Sequence, residues 1–180
     1  MLAQPRSHVT FPSEGRTFEI GKSIKEDNCD KIIDEIFSLS KQEGCKIFYP
    51  EDVVVGKSLK ASPKIKNLND VLNNEMILDV GPKTIRTITN IIEGSNTLLW
   101  NGPAGYFENP DFAKGTYEIA KKIVKKNKSN AIYSVAGGGD TVAVLNKINV
   151  INYFNFVSTA GGAFLEYLEG KELPGIKALN

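Results

Sequence analysis

The sequence predicts an α/β fold: a doubly wound parallel sheet with helices on both faces, three layers deep. Two observations carry this. Short apolar runs alternate along the chain with helical stretches, the order that places helices over a parallel sheet. Those runs are too short and too continuously apolar to be two-faced, so each is read as a strand buried on both sides. Ligands in such sheets sit beyond the C-terminal ends of the strands, so function is expected in the loops there.

Residues 1–19 are polar, carry Pro5, Pro12 and Gly15, and show no usable period. They are read as an irregular leader, with residues 20–180 as the folded part. Across residues 24–43 the positions Ile32, Ile33, Ile36 and Leu39 recur at three and four, the spacing of an amphipathic helix. Ser23 with Glu26 fits a capping box, and Gly44 is a natural stop. Residues 46–49 and 53–55 read as short strands parted at Pro50. Residues 56–75 read as loop and Met76–Val80 as a short apolar piece. Pro82 suits the first turn of a helix running to about residue 93. Then follow strand 97–100, helix 112–126, strand 131–135, helix 141–147, strand 154–157 and helix 162–168, the last closed by Gly170 and Pro174.

With 180 residues, 41% of them hydrophobic, the chain can build one sizeable core. A net charge of +1 offers no field for nucleic acid or a membrane surface. No apolar run approaches the ~20 residues of a membrane span. Cys29 and Cys45 lack metal-like spacing and are read as reduced thiols of a cytoplasmic protein. The single histidine, His8, falls in the leader and receives no catalytic role.

Three successive predicted strands end in glycine-rich turns: WNGPAG (100–105), AGGGDT (136–141) and STAGGA (158–163). The second and third lead straight into helices. Small residues let backbone N–H groups approach phosphate oxygens, and a helix N-terminus adds partial positive charge. One such loop is explained by a tight turn; three on one sheet edge point to a phosphate or nucleotide site. AGGGDTV is not a dinucleotide fingerprint, because Val142 stands where the third glycine belongs. GRTFEIGKS (15–23) mimics a P-loop, but five residues, not four, separate Gly15 from Gly21. Asp140 reads either as a helix-capping acid or as a ligand for magnesium on nucleotide phosphates. Glu108 reads either as a solvated loop acid or as an acceptor for ribose hydroxyls. Trp100 is read as core, and Tyr106 and Phe107 either flank a base or pack under the loop.

WNGPAGYFENPDFAKGT, SVAGGGDTVA and FVSTAGGAFLEYLEGKELPGIKAL resemble the C-terminal lobe of phosphoglycerate kinases. IGKSI, GCKIFYPEDVVVG and LDVGPKTI match the same lobe upstream, in the same order, so the resemblance runs over residues 20–179. It implies a Rossmann-like fold and reversible phosphoryl transfer in glycolysis, between 1,3-bisphosphoglycerate and Mg·ADP, giving 3-phosphoglycerate and ATP. The cofactor implied is Mg2+ with ADP or ATP. The resemblance puts Asn101, Pro103, Gly105 and Tyr106 in the nucleotide pocket and Glu108 on the ribose. It puts Gly137, Gly138, Gly139, Asp140 and Thr141 at the phosphates, with Asp140 toward the metal. Gly161 and Gly162 would stabilise the transferring phosphoryl group, the catalytic role. Ala160 stands where many members have a third glycine, and Tyr106 is bulkier than the usual aliphatic residue.

The resemblance also implies absences: the N-terminal lobe with the acid-substrate site, and the opening βαβ unit of the C-terminal lobe. The sheet would then lack its first two strands, leaving residues 46–55 and 97–100 facing a gap with open edges. Marginal stability is expected unless a separately encoded N-terminal lobe supplies the missing part. The alternatives are a non-catalytic nucleotide-binding or interaction fragment, or a decayed remnant.

Overall fold

The computed structural model describes residues 8–11, 16–24 and 29–179. Its elements are β1 (His8–Phe11), β2 (Arg16–Glu19), α1 (Asp30–Gln42), β3 (Asp52–Gly56), β4 (Lys64–Asn67), β5 (Met76–Val80) and α2 (Pro82–Gly94). Then come β6 (Thr97–Asn101), α3 (Lys114–Lys128), β7 (Tyr133–Gly137), α4 (Gly139–Lys147), β8 (Phe156–Val157), α5 (Gly162–Leu168) and α6 (Pro174–Lys177).

The α/β architecture with a parallel sheet is present: β6, β7 and β8 lie side by side, all parallel. Trp100, Ala136, Val144 and Leu145 pack with Ile119, Ala120 and Ile123 of α3 in one buried cluster. The opposite face, reached by alternation along the strands, carries Leu99, Tyr133 and Phe156, each about half-exposed. There α5 covers only the end of the sheet, where Phe164 lies against Phe156 and Gly137. The outer edge of β6 has no partner strand among the described residues.

Several expected elements change. Residues 45–50 form no strand, and Phe48 is exposed. A strand exists only through its partners, and among the described residues no strand pairs with this segment. β3 pairs antiparallel with β4 and β5 in a sheet of its own, not as a member of the parallel sheet. β4 arises inside the expected loop 56–75; its exposed KIKN sequence suits an edge strand. The segment read as irregular contains β1 and β2, paired antiparallel. α1 begins at Asp30 with Cys29 as N-cap. Ser23 lies outside that helix and accepts a hydrogen bond from Ile77 N at 2.8 Å, and Glu26 falls outside the described residues. The apolar stripe of α1 is largely exposed at Ile32, Ile36 and Leu39, and only Phe37 is buried.

Two ties fix α2. Lys126, buried, donates to the carbonyls of Ile92, Glu93 and Ser95 at its C-terminal end, where positive charge is favourable. At the other end the buried Asp52 carboxylate accepts from Lys83 N, Thr84 N and Thr84 Oγ1. Burial pushes the Asp52 pKa up, but these hydrogen bonds outweigh it and hold the group below the ordinary carboxylate range. A carboxyl with a lowered folded pKa stabilises above its unfolded value of about 3.9 and loses that contribution as pH falls through the folded value. The stability gap between the parent and Asp52→Asn in urea unfolding is therefore expected to narrow from pH 7 toward pH 3. A gap unchanged with pH would show that the charge on Asp52 contributes nothing.

Candidate nucleotide site

β6, β7 and β8 run parallel with Asn101 opposite Gly137 and Ala136 opposite Val157. Their C-terminal ends therefore open on one edge, and all three glycine turns leave from it. Asn101, Pro103, Gly105, Tyr106 and Glu108 belong to the first turn, Gly137 to Thr141 to the second, and Gly161 with Gly162 to the third.

The first loop spends its amides inward. Ala104 N and Gly105 N donate to Thr116 Oγ1 at 3.0 and 3.2 Å. Gly102 N donates to Thr141 Oγ1 at 2.7 Å, and Tyr106 N to the Leu78 carbonyl at 2.7 Å. Trp100 Nε1 donates to the Gly102 carbonyl at 2.7 Å. Pro103 has no N–H. The loop thus presents a lean wall rather than a cradle of donors. It lines a cavity of about 360 Å3 whose opposite side is Met76, Ile77 and Leu78 of β5. That volume lies within the range of small-molecule sites. Glu108 stands exposed just beyond, its backbone anchored by buried Phe107, whose carbonyl accepts from Lys147 Nζ at 2.9 Å.

The second loop is built differently. Gly138 caps α4 with φ +90, a left-handed value, and a Cβ there would also crowd Asn101 Oδ1. The first-turn amides of α4 have no intrahelical acceptors, the geometry that suits an anion. Asp140 is exposed in that turn, whereas Thr141 is fully buried and acts as the link to Gly102. The third loop is similar: Gly161, φ +57, precedes α5, and Gly162 is exposed.

Reading the sequence missed two residues here. Asp79, buried in β5, accepts from Val80 N and Gly115 N at 2.8 Å each. Burial pushes its pKa up, against the lowering effect of the backbone amides of Gly115, Val80 and Lys114. Thr116, fully buried, holds the first loop. A lone acid inside the apolar run MILDV was the available signal for Asp79; for Thr116 there was none.

The sequence profile of the family described as phosphoglycerate kinase matches residues 8–171. The chain belongs to the phosphoglycerate kinase family. The match begins at residue 8, within the segment read as an irregular leader. The chain is 51% identical to the phosphoglycerate kinase of Zymomonas mobilis over 163 residues, 89% of this chain and 41% of that protein. It is 44% identical to that of Xanthobacter autotrophicus over 163 residues, again 89% of this chain and 41% of the relative. Among solved structures, phosphoglycerate kinase from Coxiella burnetii superposes with a TM-score of 0.82 at 39% identity, covering 94% of this chain and 43% of that one. Phosphoglycerate kinase from Pyrococcus horikoshii gives 0.70 at 30% identity, covering 84% and 36%. The chain thus spans about two fifths of the length of the curated phosphoglycerate kinases it matches. No helix among the described residues is long and apolar enough to cross a membrane.

Proposed function

We propose that this chain is the nucleotide-binding portion of a phosphoglycerate kinase and takes Mg·ADP or Mg·ATP across its three glycine turns. The observation that carries the reading is the division of labour among the loops. The first forms a lean wall over an apolar cavity, while the second and third place helix N-termini at the same sheet edge. The base would lie in the cavity against Pro103, Gly105 and Tyr106, with Asn101 beside it and Glu108 on the ribose hydroxyls. The phosphates would meet the Gly137–Gly138–Gly139 turn, and Gly161 and Gly162 would face the transferring group, where preorganised amides stabilise developing charge.

Magnesium fits this arrangement as a companion of the phosphates. Among the described residues no group of three His, Cys, Asp or Glu can hold a metal alone. One exposed carboxylate, Asp140, stands beside the phosphate turn, and magnesium commonly combines one or two carboxylates with phosphate oxygens and water. Bound there, the ion would neutralise phosphate charge.

Transfer to or from 1,3-bisphosphoglycerate would need a second part of the enzyme, either further chain or a separately encoded N-terminal lobe. The half-exposed sheet face at Leu99, Tyr133 and Phe156 and the open edge of β6 support such a partner, since parallel sheets are ordinarily covered on both faces.

The test is thermal unfolding of the purified chain, followed by circular dichroism, with and without Mg·ADP. A ligand at 100 times its Kd that binds only the folded state adds about 2.7 kcal/mol, so a clear upward shift is expected. Chelating the magnesium should remove most of it. A cooperative melt that ignores Mg·ADP would overturn the proposal.

A further inference from the structure

We infer that Thr116 and Asp79 are positioning residues for the nucleotide, setting the depth and shape of the first loop from two sides of the α3 N-terminus. The inference rests on the nucleotide reading above and adds to it two groups that act through the first loop.

Two helix starts are built alike and tied differently. α2 begins Pro82-Lys83-Thr84 and α3 begins Lys114-Gly115-Thr116, so each has a threonine at its third position. Each start is also met by a buried aspartate from a strand: Asp52 of β3 for α2, Asp79 of β5 for α3. At α2 the unit closes on itself. Thr84 Oγ1 donates to Asp52 and accepts from the amides of Glu51 and Asp52. At α3 the aspartate accepts from Val80 N and Gly115 N and not from the threonine hydroxyl. The threonine oxygen accepts from Ala104 N and Gly105 N of the first loop instead.

Asp79 completes the second side. Its carboxylate is slotted between two glycines, one from each partner: a Cβ at either Gly105 or Gly115 would overlap it. The carboxylate therefore sets how closely the loop approaches α3, while Thr116 sets the loop's hydrogen-bond register. Asp79 and Gly115 are buried, so the carboxylate cannot withdraw cheaply. Asp79 also lines the cavity beside Gly105 and Tyr106, so loop depth and cavity width are one variable. The α2 start is tied to residues 51 and 52 and to none of the three glycine turns, and serves as an internal control for the cost of disturbing a buried helix clamp.

The chain supplies its own reporter. Trp100 is the single tryptophan, and its indole N–H donates to the Gly102 carbonyl inside the loop. Thr116→Val keeps the shape and removes the acceptor; Thr116→Ser keeps the acceptor. Thr84→Val disturbs the α2 clamp alone. The experiment measures Trp100 emission and its acrylamide quenching in the free chain, then the Kd for Mg·ADP. Thr116→Val is expected to change the Trp100 signal and weaken Mg·ADP by about tenfold, the effect of leaving buried donors unpaired. Thr116→Ser should restore both. Thr84→Val should lower the melting temperature and leave Trp100 and Kd as in the parent. Asp79→Asn should follow Thr116→Val; should it fail to fold, the serine and valine pair decides alone. Parent-like emission and Kd in Thr116→Val, or equal changes in Thr84→Val, would overturn the inference. If the parent itself binds no Mg·ADP, the nucleotide reading fails, and the role assigned to the pair in nucleotide recognition falls with it. The Trp100 comparison then reports on loop shape alone.

Discussion

Replacing Phe112 with alanine is expected to cost about 3–5 kcal/mol, the range for emptying a buried aromatic site. Phe112 is completely buried just before α3, packed with Val54 of β3 and Leu78 of β5. Those strands belong to the antiparallel sheet, whereas α3 packs on the parallel one. The ring packs on the antiparallel sheet, with Tyr106 beside it, and so seats the start of α3 and the first loop on that sheet. Natural domains are stable by only about 5–15 kcal/mol, so the variant should show a much lower urea midpoint. Phe112→Leu, which keeps most of the volume, should cost about 1–2 kcal/mol. A loss below about 1 kcal/mol for the alanine variant, at unchanged m-value, would mean that the start of α3 is seated on that sheet by its other contacts, such as Gly115 N to Asp79.

The same contrast explains how much could be read from the sequence. Local signals succeeded. Pro82 starts α2, Gly170 with φ +77 follows α5, and each glycine turn leaves the end of a parallel strand. These depend on the conformational demands of neighbouring residues and are written locally. Pairing was not legible. Residues 46–49 have a good strand composition and form none, because a strand is completed by another segment. Residues 64–67 look like loop and form β4, because β3 lies beside them. Valines 53–55 suit a buried strand in either direction, so composition could not tell antiparallel from parallel.

At the site the distinction is sharper. The glycines located the loops but not the direction of their amides. WNGPAG and AGGGDT look equivalent as small-residue turns. Only the distant hydroxyls of Thr116 and Thr141 turn the amides of the first loop inward and make it a wall. Asp79 was hidden for a related reason: a carboxylate in an apolar run declares that it has partners, but not which helix supplies them.

Gly105→Ala is expected to have the largest effect on the site. A Cβ there would overlap both the Asp79 carboxylate and the Phe112 carbonyl. Neither can withdraw easily. The carboxylate is held by Gly115 N and Val80 N, and the Phe112 side chain is locked in the core. The loop must therefore move instead, and its movement strains the bonds from Ala104 N and Gly105 N to Thr116. Overpacking of this kind costs about 1–3 kcal/mol or more. The same displacement carries Tyr106 and the wall of the cavity with it, so Mg·ADP affinity should fall by more than about tenfold, beyond what the loss of one hydrogen bond explains. Gly139→Ala is the useful comparison, because a Cβ at Gly139 meets nothing within 4 Å and its φ is not in the left-handed range. It should leave stability near the parent, so any change in affinity there would come from the phosphate turn itself. Equal melting temperatures for Gly105→Ala and the parent, with equal Kd values, would mean that the loop is pliable and that its lean sequence serves some other end.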